Sequence, residues 1–223
     1  MGLLQWWRRR RGTDTDTLVA RELARVRWRI VDEDITLFGE QLAELHVDTM
    51  TTELDDDMRA DYQKALDRYE SATQRFTRES TDDDLIEIGA VLEEGRYHRA
   101  CVLARRDGTP LPERLPPCFF NPQHGPSVAE LAWAPPGGVK RAVPMCREDL
   151  NRIEHSQLPV MRVVRVADQY LPWFAAGSAY EALAGTIDVK AVLDGKRAAQ
   201  GQWALYVGQT QNSGVGIYGS PFP

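Results

Sequence analysis

Between Thr15 and about Leu45, apolar residues recur at three, four and seven positions: Val19, Leu23, Val26, Ile30, Leu37, Leu42 and Leu45, with Arg, Asp and Glu on the other faces. That period predicts an amphipathic helix of roughly thirty residues, about 45 Å long, with Asp14 or Asp16 as its cap. Trp28 falls beside the stripe and reads as core or partner surface. After a break at 47–53, Met58, Tyr62, Leu66, Tyr69, Ala72 and Phe76 repeat the pattern, and Leu85, Ile88, Val91, Leu92, Ala100, Cys101 and Leu103 repeat it again. The acidic clusters Asp55–Asp57 and Asp82–Asp84 stand where the second and third helices begin, so they read as caps rather than as metal or acid–base sites. Gly95 interrupts the third helix, which predicts a bend or a close contact. Three helices with short connections pack as antiparallel neighbours, in a bundle or coiled-coil hairpin.

Past a proline-rich bridge, the period changes to two. Val128, Glu130 and Ala132 alternate with Ala129, Leu131 and Trp133; beyond the Pro135-Pro-Gly-Gly138 turn, Val139, Arg141 and Val143 alternate with Lys140 and Ala142. Two antiparallel strands are predicted, one face dry and one wet. Leu150 and Ile153 then start a short helix, with Glu148 and Asp149 in its first turn. Val160, Arg162, Val163, Arg165 and Val166 read as a further strand of the same small sheet.

The order of knuckle, hairpin and helix start resembles a treble-clef zinc finger, with Cys118 and His124 on the knuckle and Cys146 and Asp149 at the helix start as candidate zinc ligands. The pattern is degenerate: the knuckle pair is wider apart than the usual roughly two to four residues, and the fourth ligand is an acid. Two other readings stand beside the metal. Cys118 and Cys146 serve equally as small buried apolar residues, or as a disulfide in an oxidising compartment. His124, followed by Gly125-Pro126-Ser127, fits a hydrogen-bonded turn residue better than a catalytic base, because no nucleophile motif accompanies it.

The fold class is therefore α+β, an N-terminal helical bundle followed by a small antiparallel β module. The expected boundaries are a leader at 1–12, the bundle at 13–107, a stiff linker at 108–117, the β module at 118–184 and a flexible tail at 185–223. Its last part, 201–223, is rich in Gly, Gln, Ser and Asn with little charge.

Charge narrows the function. A net charge of −6 argues against a general nucleic-acid partner, and three widely spaced cysteines are not the framework of a secreted mini-domain. The leader departs from this picture: Trp6 and Trp7 adjoin Arg8, Arg9, Arg10 and Arg11, as at the cytoplasmic end of a membrane anchor. This segment lies at the membrane surface, follows a spanning helix upstream of it, or is a disordered basic leader. Trp173, Phe174 and Tyr180 form an aromatic cluster that reads as sheet-edge packing or as an exposed contact patch.

The segments Cys118-Phe-Phe-Asn-Pro-Gln-His-Gly-Pro-Ser127, Trp133-Ala-Pro-Pro-Gly-Gly138 and Val143-Pro-Met-Cys146, with Glu93-Glu-Gly-Arg-Tyr97 and Pro112-Glu-Arg-Leu-Pro-Pro117, resemble a family of uncharacterised actinobacterial proteins over roughly Asp32 to Tyr180. The resemblance implies tethering to the membrane by an N-terminal hydrophobic anchor, and carries no activity. This chain differs in its polar C-terminal segment and in the missing anchor. In organisation it is loosely similar to trehalose monomycolate transport factor A.

No phosphate loop, dinucleotide fingerprint, metalloprotease helix or nucleophile elbow is present in the sequence. The expected function is a non-enzymatic scaffold or adaptor at the cytoplasmic face of the plasma membrane. It would present the β module to an envelope protein and self-associate through its helices. The alternative is a zinc-binding module, structural or hydrolytic.

Overall fold

The computed structural model describes residues 3–134, 139–166 and 169–173; within them, side chains are described from Arg21 onward, apart from residues 22, 23, 165, 166, 169 and 171. The elements are α1 (Leu3–Thr49), α2 (Asp56–Arg75), α3 (Asp82–Arg106), a 3₁₀ turn (Pro122–His124), β1 (Ala129–Trp133), β2 (Arg141–Met145), α4 (Arg147–Glu154), β3 (Val163–Val166) and β4 (Gln169–Pro172). The α+β class stands.

The first helix is longer than the apolar stripe predicts: it runs 47 residues and passes through Asp14 and Asp16, which are therefore not caps. No proline precedes position 110, and Leu3, Leu4, Gln5 and Arg8 to Arg11 of the leader are good helix formers that outweigh Gly12. The other caps are as expected. Asp55 accepts the Met58 amide at 2.7 Å, and Thr81 and Asp84 form a reciprocal capping box.

Two hydrophobic cores share α1. Val31, Ile35, Phe38, Leu42 and Leu45 pack with Met58, Ala65 and Ala72 of α2 and Leu85, Ile88, Leu92 and Val102 of α3. Gly95 marks a close approach: a Cβ there would stand 2.6 Å from the Phe38 ring. Trp28 stacks on Phe76 with ring centroids 4.6 Å apart and donates its indole N–H to the Thr77 carbonyl. Val26 and Ile30 of α1 instead join the core of the β module, with Cys118, Phe119, Phe120, Val143, Met145, Cys146, Met161, Val164 and Trp173. The module is thus packed on the helix that begins the bundle.

β1 and β2 pair antiparallel, Ala129 opposite Met145 and Trp133 opposite Arg141. β3 does not join them; it pairs with β4 as a second two-stranded sheet, Val163 opposite Pro172.

Between the two cores lies a group of charges. Asp34, with no exposed surface, accepts from the Arg162 guanidinium at 2.6 Å and from the Gln123 amide at 2.6 Å, and faces Arg96 at 3.8 Å. Arg162 also donates to the Ile30 carbonyl at 3.1 Å and to Glu33 at 3.2 Å.

Candidate metal centre

Each of the four residues named from the treble-clef order is placed by a different piece of local structure. The knuckle closes through the Cys118 amide, which donates to the Gly125 carbonyl at 3.2 Å. Gly125 has φ +89°, a region that side chains disfavour. Between these ends, Asn121 caps the 3₁₀ turn by accepting the Gln123 amide at 3.0 Å, which sets His124 at the end of the turn. Cys146 follows β2 directly and caps α4, its Sγ accepting the Asp149 amide at 3.4 Å. Asp149 lies three residues on, so the first helical turn brings both onto one side.

The four ligand atoms converge. Asp149 Oδ2 is 3.2 Å from Cys118 Sγ, 3.1 Å from His124 Nδ1 and 3.5 Å from Cys146 Sγ, and Cys146 Sγ is 3.5 Å from His124 Nδ1. All four lie within 4.8 Å of one another. Zinc bonds of roughly 2.3 Å to sulfur and about 2.0–2.2 Å to nitrogen and oxygen place tetrahedral ligand atoms roughly 3.3–3.8 Å apart. The four separations just given lie within a few tenths of an ångström of that range, and the remaining pairs lie within 4.8 Å, so the donor set fits a tetrahedral ion in chemistry, and in spacing after a closure of at most about 1 Å.

The surroundings are dry. Cys118, Cys146 and Asp149 are buried and His124 is half-buried. Asp149 Oδ1 accepts the Val160 amide at 2.7 Å, which leaves Oδ2 as the single oxygen directed at the cluster. Such a bond to the far side of a ligand fixes its orientation.

Electrostatics follow from this crowding. The hydrogen bond from Cys146 holds the Cys118 thiol down to about 6 against the opposing effect of burial, with a further contribution from His124. Cys146 is pushed up by its hydrogen bond with Cys118 and by burial. Burial alone would lower His124, but its bonds to Asp149 and Cys118 win and raise it to about 9. Burial would raise Asp149, yet the His124 interaction keeps it below the ordinary carboxylate value. Thiolate and carboxylate thus outweigh the single imidazolium by one negative charge, and a dication would replace the protons that hold the cluster together.

Both Cys118 and Cys146 are free thiols, so the disulfide reading does not describe this structure. Trp173 is a correction to the exposed contact patch: it is wholly buried, and its indole N–H donates to the Phe119 carbonyl at 2.9 Å. Phe174, Tyr180 and the 185–223 tail lie outside the described residues, as do the side chains of Trp6, Trp7, Arg8, Arg9, Arg10 and Arg11. No helix among the described residues is long and apolar enough to cross a membrane.

The hydrophobic pattern did not point to the residues that support the cluster from behind: Asp34, Gln123 and Val160. A signal existed for one of them. Asp34 falls four residues after Ile30 and four before Phe38, in the middle of a buried stripe, where an unpartnered acid is not tolerated.

No protein-family model matches the chain, and no curated protein or solved structure matches it.

Proposed function

We propose that the β module is a structural zinc site, with Cys118, His124, Cys146 and Asp149 as the four ligands. One observation carries this reading: four donor atoms from the knuckle and the α4 start converge within 4.8 Å in a largely buried setting. Zinc would supply cross-linking, joining two chain segments whose elements are too short to hold each other. Four protein ligands fill a tetrahedral shell, and the Val160 N–H bond occupies the second Asp149 oxygen. This favours a closed structural site over a hydrolytic one, which needs an open position.

The test is thermal. Zinc added to chelator-stripped protein should raise its melting temperature in a concentration-dependent way, and magnesium should not. Equal melting with and without zinc counts against the site.

For the whole chain we favour a scaffold or adaptor at the inner face of the cell envelope, with the zinc-closed module as its presented element. What supports this is the hairpin, where Val128, Leu131 and Val139 are exposed, Val139 at 76%, together with the Trp6-Trp7-Arg8 start. Flotation with anionic liposomes tests the membrane half. Protein that stays wholly unbound, with or without residues 1–12, removes it.

A further inference from the structure

The turn that carries His124 is held from the far side by α1. Gln123, its neighbour, is gripped at both ends. Its side-chain amide donates to Asp34 Oδ1 at 2.6 Å, and its backbone carbonyl accepts from the Gln41 amide at 3.0 Å. Asp34 and Gln41 lie seven residues apart on one face of α1, so the 3₁₀ turn spans two turns of that helix. The segment entering β3 is tied to the same carboxylate through Arg162, whose amide in turn donates to the Phe120 carbonyl at 2.9 Å within the knuckle.

The Gln41 contact is not free. Orienting the Gln41 amide toward Gln123 leaves its Oε1 buried with no hydrogen-bond partner among the described residues. A buried acceptor without a partner is destabilising, and a methionine of similar shape would avoid it. The orientation itself is fixed, because turning the amide over would set two oxygens against each other. The glutamine is thus a poor choice for helix packing alone, and a good one for holding the turn.

We propose that Gln41 and Asp34 of α1 are positioning residues for the metal site, and that metal affinity is coupled through Gln123 to the packing of the β module on the helical stalk. This rests on the zinc reading above and deepens it. The donor atoms of Cys118, Cys146 and Asp149 are placed by the module itself, whereas the turn that carries His124, capped by Asn121 within the module, is clamped by α1 as well. Coupling of this kind is reciprocal: whatever tightens the metal site by holding the turn is itself tightened by metal.

The test compares the full chain with two variants, Gln41→Met and Gln123→Ala. Zinc affinity is measured by competition with a chromophoric chelator, cobalt(II) absorption reports tetrahedral ligation, and melting of the metal-free protein reports the fold. Loss of a direct hydrogen bond to a ligand typically weakens a metal site about 10- to 100-fold, and these contacts act one step further out, on the turn beside His124, so the low end, about 10-fold, is expected. Both variants should lose zinc affinity by that order and show an altered cobalt spectrum. Gln41→Met should melt, metal-free, close to the wild type, since it removes the orphaned Gln41 Oε1 while leaving unpaired only the carbonyl of the half-buried Gln123. Wild-type affinity in either variant overturns the proposal, and so does an affinity loss matched in both by lower metal-free melting, which marks general loosening. A wild-type chain that binds no zinc removes the metal reading, and this inference with it.

Discussion

Arg162 reaches Asp34 across 128 positions of sequence and donates to it at 2.6 Å, both side chains being buried where the β module meets α1. A buried charge pair contributes little in itself, but removing one partner strands the other, at a cost of about 3–5 kcal/mol. Arg162→Ala should destabilise the chain by about 3 kcal/mol in urea unfolding, Arg96 and Gln123 softening the loss. Arg162→Lys should recover only part, because a single ammonium cannot serve Asp34, Glu33 and the Ile30 carbonyl together. A change below about 1 kcal/mol for Arg162→Ala would mean that Asp34 is open to water in solution.

Gly95→Ala should destabilise, although alanine is the better helix former by about 1 kcal/mol. The added methyl would meet Phe38 at 2.6 Å and the Arg68 Cβ at 3.1 Å. Phe38 has little room to retreat: it lies edge-on to Tyr69 with centroids 6.2 Å apart, and the Arg96 guanidinium covers its ring at 5.6 Å. Overpacking of this kind costs about 1–3 kcal/mol. The change should therefore lower the melting temperature, and a variant that melts higher would show that the helices part easily at this point.

Glu93 gives the stability a pH dependence of opposite sign to most carboxylates. Burial pushes its carboxyl up from 4.5 to about 7, with Arg96 opposing and Asp34 reinforcing the shift. A raised acid holds its proton better in the folded chain, so folding loses stability as pH rises from the unfolded value through about 7, and the loss is complete above it. The shift corresponds to about 3 kcal/mol at most. Glu93→Gln should accordingly be more stable than wild type at about pH 8 and indistinguishable from it at about pH 4, by unfolding at both. A constant difference between the two chains at every pH would contradict the assignment.

These cases show what the chain discloses about itself. The bundle was legible because each helix carries its own periodic stripe and local caps, as at Asp55 and Thr81, and Gly95 announced a close contact correctly. The candidate metal ligands were legible because the order of knuckle, hairpin and helix start is local too. Long-range partnerships were not. Arg162 reads only as one position of a strand until Asp34 is seen opposite it, and Trp173 reads equally as sheet-edge packing or exposed patch until the Phe119 carbonyl takes its N–H. The pairing of β3 with β4 rather than with the first hairpin likewise depends on what α1 covers.

Elemental analysis of the full chain, purified without a metal-binding tag beside Cys118→Ser, Cys146→Ser and Asp149→Ala, would decide whether the β module is a zinc site. About one zinc per chain is expected in the wild type, lost in both cysteine variants and weakened in Asp149→Ala. Metal-free wild-type protein that takes up no zinc when it is supplied, or zinc retained in full by both cysteine variants, would contradict the assignment of these ligands.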